Sequence, residues 1–210
     1  MGRADLLCEP CEAGLERVAA RFTCERCAGP VPCHGCGVTR GRLSRVGAPF
    51  YYRGTGGALV RRLKLDGDYG AGGVLGRALA RRVERTPQRV RTVVVPVPLA
   101  RVRLAERGFN QAAWLARFVA DRLDTRVVEH GLRRTRETLP QGSLLVTSRQ
   151  QNVHAAFAPG VDSRHFRDRL VILVDDVTTS GATLRECAHV LRGAGASRVE
   201  ALVACLARPR

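Results

Sequence analysis

The residues best suited to chemistry lie between positions 171 and 184. Asp175 and Asp176 stand side by side after four apolar residues, Val171 to Val174. They precede a small, hydroxyl-rich run, Thr178-Thr179-Ser180-Gly181-Ala182-Thr183. Ionised carboxylates only accept hydrogen bonds, so such a doublet suits a ligand presenting hydroxyl donors, as the 2′ and 3′ hydroxyls of a ribose do, or a divalent cation. The run that follows suits an anion. Gly181 lets the backbone approach closely, and Thr179, Ser180 and Thr183 supply hydroxyls. Leu184, Ala188 and Leu191 recur at helical spacing, which places the N–H groups of a helix start at the same point. A sugar held between carboxylates and a 5′-phosphate cradle is the occupant favoured by this order of residues. The absence of any Gly-x-x-x-x-Gly-Lys-Ser/Thr excludes a Walker A loop.

A second anion site is expected further upstream. The apolar run from Val93 to Leu99 ends in Pro96 and Pro98, and a loop carrying Arg101, Arg103 and Arg107 comes next. Asn110 then caps a helix with Ala112, Leu115, Phe118, Val119 and Leu123 on one face. Guanidinium groups beside a capped helix suit a pyrophosphate. Lys64 is the single lysine among 35 basic residues. Its retention marks a position where a compact, rotatable ammonium is wanted.

Six of the eight cysteines form three Cys-x-x-Cys pairs at Cys8/Cys11, Cys24/Cys27 and Cys33/Cys36. Such pairs, in a chain without an apolar leader segment, point to a tetrahedral thiolate site with structural zinc rather than to disulfides. By spacing alone, Cys8/Cys11 with Cys24/Cys27 is the easier geometry. Residues 1 to about 40 carry few aliphatic side chains, so a metal is expected to supply folding energy there. Cys187 and Cys205 read as small core residues.

The elements that must position these groups follow from the apolar pattern. Val171–Val174 and Val93–Val97 read as buried strands of a parallel sheet, and Phe50–Tyr52 and Val127–Val128 as short ones. Val199–Leu206 closes the sheet. Helices start near Ala58 and run through Leu75 and Leu79. Residues 131 to 157 lack periodicity and read as a lid or binding loop. The expectation is a doubly wound α/β domain with its site at the strand C-ends, over 46–210, preceded by a small cysteine-rich zinc segment over 1–45.

Net charge is +16, which favours polyanions: phosphorylated ligands or nucleic acid. One Trp and three Tyr are few for a base-stacking surface. No apolar run approaches the length of a membrane helix, so a cytoplasmic protein without membrane insertion is expected.

Taken together, these residues resemble a known pattern. Asp175-Asp176-Val177-x-Thr179-Ser180-Gly181-Ala182-Thr183 is similar to the signature of type I phosphoribosyltransferases, although Thr178 stands where an aliphatic residue is commoner. With the paired cysteines, Tyr52, Lys64, Val95-Pro96-Val97-Pro98-Leu99, Arg107-Gly108-Phe109-Asn110-Gln111-Ala112, Gln141, Arg149, Asn152 and Phe157, the whole chain resembles the ComF family of phosphoribosyltransferase-like proteins. That resemblance implies the type I phosphoribosyltransferase fold, phosphoribosyl pyrophosphate (PRPP) with Mg²⁺ as ligand, and transfer of the phosphoribosyl group to an acceptor that the residues do not identify. It implies ribose contacts from Asp175 and Asp176, a 5′-phosphate cradle at Thr179, Ser180, Gly181, Ala182 and Thr183, and pyrophosphate contacts from Lys64 and Arg107. It places the zinc at Cys24, Cys27, Cys33 and Cys36, with Cys8 and Cys11 as the remaining pair, against the spacing argument. It also implies a link to competence and DNA uptake. The rival expectation is a non-catalytic nucleotide- or DNA-binding module, with a helicase or single-stranded DNA as partner.

Overall fold

The computed structural model describes residues 7–18, 24, 42–83, 91–136 and 154–207. Within them a five-stranded sheet forms the centre, and its strands pair in parallel. β1 (Arg45–Gly47) and β2 (Phe50–Tyr51) are two pieces of one broken edge strand. Both pair with β7 (Arg198–Leu206), which lies beside β6 (Leu170–Thr178), and β6 lies beside β3 (Thr92–Pro96). Runs such as Val93-Val94-Val95 and Val171-Ile-Leu-Val174 are buried on both faces, as helices above and below a parallel sheet require.

On one face pack α2 (Gly54–Leu65), α3 (Tyr69–Arg81) and α5 (Gln111–Leu123), through Leu59, Leu63, Leu75, Leu79, Leu115 and Val119. On the other lies α6 (Ala182–Gly193), whose Leu184, Cys187, Ala188 and Leu191 are all fully buried. The doubly wound parallel arrangement expected from the apolar pattern is therefore present.

Several local expectations are refined. α2 begins at Gly54 rather than near Ala58, because Gly54 takes φ +48° and Gly56 packs where a Cβ would lie 2.6 Å from the Tyr51 carbonyl. The arginines 101 to 107 form a helix, α4 (Arg101–Arg107), not a loop. Gly108 ends it at φ +74°, a conformation that glycine adopts freely. Val127 contributes a single parallel bridge to Val94 instead of a strand. β7 comes last in the chain but lies inside the sheet, because the edge beyond it is taken by β1 and β2.

The stretch 131–157 is also more ordered at its ends than expected. β4 (Leu132–Arg134) and β5 (Phe157–Pro159) form an antiparallel ribbon. Gln141, Arg149 and Asn152 lie outside the described residues, as do Cys27, Cys33 and Cys36.

Near the N-terminus, α1 (Glu9–Ala13) is one short turn. Leu15 and Val18 after it are buried in the core of the sheet domain, and Val18 N–H donates to the Pro49 carbonyl. Arg82, at the end of α3, donates to the carbonyls of Val18 at 2.6 Å and Ala48 at 2.8 Å. The segment at 15–18 is thus tied to the same core as α3.

Candidate functional site

β6 does not stop before the carboxylates; it runs through them to Thr178. Successive side chains of a strand point to opposite faces, so the two adjacent aspartates diverge. Asp176 turns toward α2, where its Oδ1 lies 2.9 Å from Lys64 Nζ. Asp175 turns toward α6, where its charge bears on the buried Cys187 thiol. A hydrogen bond of 2.8 Å from the Asp176 N–H to Asp175 Oδ1 ties the two together.

Their electrostatics differ accordingly. Burial pushes the Asp175 carboxyl up to about 7, and the neighbouring Asp176 charge adds to this against partial relief from Lys64. Lys64 is also raised, which for an amine favours the charged form. Burial disfavours its ammonium, but the charge and hydrogen bond of Asp176, with Asp175 behind it, more than compensate and hold its pKa above the ordinary value. Arg107 lies near enough to Lys64 for its charge to be felt there. Lys64, Arg107 and Asp176 therefore converge from α2, α4 and β6, although they are far apart in the chain.

Beyond the strand, Gly181 caps α6 at φ +71°. An L-residue with a side chain adopts that conformation only at a cost, so glycine is needed to turn the chain into the helix here. Thr179 Oγ1 and Ser180 Oγ are buried and have no hydrogen-bond partner among the described residues. Buried hydroxyls normally find partners, and a ligand oxygen is one way to supply them. Both hydroxyls lie beside the first N–H groups of a twelve-residue helix, where an anion is favoured. Arg185 braces the turn by donating to the Ser180 carbonyl at 2.7 Å.

Arg134, within the 131–157 stretch expected to be a lid or binding loop, brings its charge to Asp175, and its guanidinium lies 5.5 Å from the Phe157 ring centroid. Its sequence signal was the Arg133-Arg134 doublet in that aperiodic stretch. On strand β4 those two residues alternate, with Arg133 exposed and Arg134 half-buried.

Cys8 and Cys11 come together at the start of α1, their thiols hydrogen-bonded to each other, which lowers the Cys8 pKa and raises that of Cys11. Of the other expected zinc ligands only Cys24 is described. Among the described residues no group of three His, Cys, Asp or Glu side chains is placed to hold a metal. Cys187 and Cys205 are buried core thiols, and burial pushes Cys205 up to about 12. No helix among the described residues is long and apolar enough to cross a membrane.

A parallel α/β sheet whose central strand carries an acidic pair into a hydroxyl- and glycine-bearing helix start defines a domain of the phosphoribosyltransferase class. Residues 110–210 match the phosphoribosyl transferase domain family. Competence protein F of Haemophilus influenzae is 34% identical over 146 residues, covering 68% of this chain and 64% of that protein. DNA utilization protein YhgH of Escherichia coli K12 is 36% identical over 117 residues, 55% of this chain and 48% of its own length. The protein of that name from Salmonella typhimurium is 28% identical over 96% of this chain and 90% of its own. The chain belongs to the ComF family of phosphoribosyltransferase-like proteins. Its match thus spans about two thirds of the Haemophilus relative and about half of the Escherichia coli one.

Proposed function

We propose that the chain binds PRPP and transfers its phosphoribosyl group to a nucleophile, releasing pyrophosphate, in a process connected with competence or DNA utilisation. The observation that carries this reading is the junction of β6 and α6. Two carboxylates there precede two buried hydroxyls at a helix N-terminus, neither with a hydrogen-bond partner among the described residues. Asp175 and Asp176 take the ribose hydroxyls, the 179–183 turn takes the 5′-phosphate, and Lys64 with Arg107 takes the pyrophosphate. Departure of pyrophosphate leaves positive charge on the sugar ring, which carboxylates nearby stabilise. The same all-oxygen donors fit Mg²⁺, which neutralises a pyrophosphate when bound with it.

The divergence of the two aspartates sharpens their roles. Asp176, already paired with Lys64, forms a fixed polar wall that links the ribose and pyrophosphate subsites. Asp175 is easily protonated near neutrality, and a ribose hydroxyl donating to it favours its ionised form.

Replacing both aspartates by asparagine keeps their shape and removes their charge. PRPP affinity should then fall by at least ~2 kcal/mol, the scale of lost charge-assisted hydrogen bonds. Inorganic phosphate, which needs only the 179–183 turn, should bind as well as before or slightly better. Calorimetry with both ligands, with and without Mg²⁺, reads the split, and unchanged PRPP affinity would sink the ribose assignment. A structural zinc held by Cys24, Cys27, Cys33 and Cys36 belongs to the same proposal. Metal analysis should show zinc lost in Cys24→Ser and Cys33→Ser and kept in Cys8→Ser, whereas zinc lost in Cys8→Ser and kept in Cys33→Ser moves the site to Cys8, Cys11, Cys24 and Cys27.

A further inference from the structure

Four of the ten Phe, Tyr and Trp residues of this chain gather at one place. Tyr69 at the start of α3, Phe109 before α5 and Trp114 on α5 meet at one corner. Their ring centroids lie 5.3 Å apart for Tyr69–Phe109 and 4.6 Å for Tyr69–Trp114. Phe118 backs the Trp114 ring at 6.2 Å. The three front rings line a cleft of about 450 Å³ that also takes in Pro96 at the end of β3, Pro98 beyond it and Leu104 of α4. That volume lies within the usual range of small-molecule pockets, roughly 300–1,000 Å³. Tyr69 remains 50% exposed and Leu104 43% exposed, although both are large apolar side chains.

Polar groups stand at the rim. Arg117 lies 5.8 Å from the Trp114 ring centroid and 3.4 Å from Glu129 Oε1, and Arg117, Glu129 and His130 all line the cleft. Rings offer faces to a flat apolar surface, while a carboxylate, an imidazole and a guanidinium offer acceptors and donors at its edge. An aliphatic ligand would use only the first set and a sugar only the second. A planar heterocycle with hydrogen-bonding edges uses both.

We infer that this cleft is a binding site for a nucleobase, stacked on Tyr69 and Trp114 and met at its edge by Glu129, His130 and Arg117. It lies on the α3–α5 side of β3, apart from the hydroxyl-lined turn before α6. The acidic pair is not among its lining residues, so it stands or falls separately from the sugar-phosphate reading. The base can arrive as a free nucleoside or as part of a single strand, because the stacking chemistry is the same.

Trp114 is the single tryptophan of the chain, so its fluorescence reports on this cleft alone. Excited at the red edge, where bases do not absorb, the full-length protein should show saturable quenching on titration with guanosine or adenosine, and none with ribose 5-phosphate. A short single-stranded oligonucleotide forms the second arm. Quenching by nucleosides identifies a free base as sufficient, whereas quenching by the oligonucleotide alone identifies a base within a strand. Tyr69→Ala, at a half-exposed position, should weaken binding about tenfold, the scale of one lost stacking contact, while Tyr69→Phe keeps it. Absence of quenching in both arms, or equal affinity in Tyr69→Ala, would overturn the site.

Discussion

On the α2 side of the sheet, Asp176 is buried to 8% exposure and held 2.9 Å from Lys64, with Arg107 close by. On the α6 side, Asp175 is half-buried beside the Cys187 thiol and within reach of the Arg134 charge, and its carboxyl is pushed up to about 7. The two residues are chain neighbours of the same type, and the strand period alone sends them into different surroundings. One side is a compensated ion pair, and the other is a carboxyl whose charge is only marginally tolerated until something satisfies it. A doublet of identical residues thus provides two different functional groups, one fixed and one responsive to ligand and pH.

The largest effect on this contrast should come from removing the compensation. Lys64→Met leaves the Asp176 carboxylate buried without its cation, which should cost about 3 kcal/mol, the scale of breaking a buried pair by deleting one partner. Urea unfolding at neutral pH measures it. A loss below about 0.5 kcal/mol, as for an exposed pair, would mean that Asp176 is not held as the geometry indicates.

A smaller effect should distinguish Asp175. Its folded-state pKa is raised from the ordinary aspartate value of about 3.9 to about 7. The folded chain therefore binds this proton more tightly than the unfolded chain does. The stability it contributes is complete below about pH 4 and is lost as pH rises through 7. In the ligand-free protein, Asp175→Asn should gain on the wild type by of order 1–2 kcal/mol between pH 4 and pH 8. A urea midpoint series across that window tests it. Equal slopes in the two proteins would show that Asp175 ionises freely and would erase the contrast with its neighbour.

Much of the site was legible in the sequence because its signals are local. The apolar run before Asp175, the hydroxyls at 179 and 180 and the glycine at 181 all act within one strand and one helix turn, where neighbours in the chain are neighbours in space. Asn110 capping α5 is equally local: its side chain accepts from the Ala112 N–H two residues on. Buried strands likewise announced themselves as unbroken apolar runs, from which a parallel sheet follows.

Other features depended on long-range packing, and no window of sequence holds that information. Lys64 is conspicuous as the single lysine, but only the seating of α2 against the sheet brings its ammonium to Asp176. The arginines at 101–107 form a helix because Gly108 ends that segment in the left-handed region, against the expectation of a loop. A count of three tyrosines and one tryptophan argued against a stacking surface. The packing of α3 on α5 gathers Tyr69, Phe109 and Trp114 at one cleft all the same. The sequence by itself determined which strand carries the acidic pair and where the hydroxyl-bearing turn begins, since backbone periodicity and turn chemistry are written residue by residue. The tertiary structure alone decided what each aspartate faces, because strand order and helix seating are settled by the burial of the whole core.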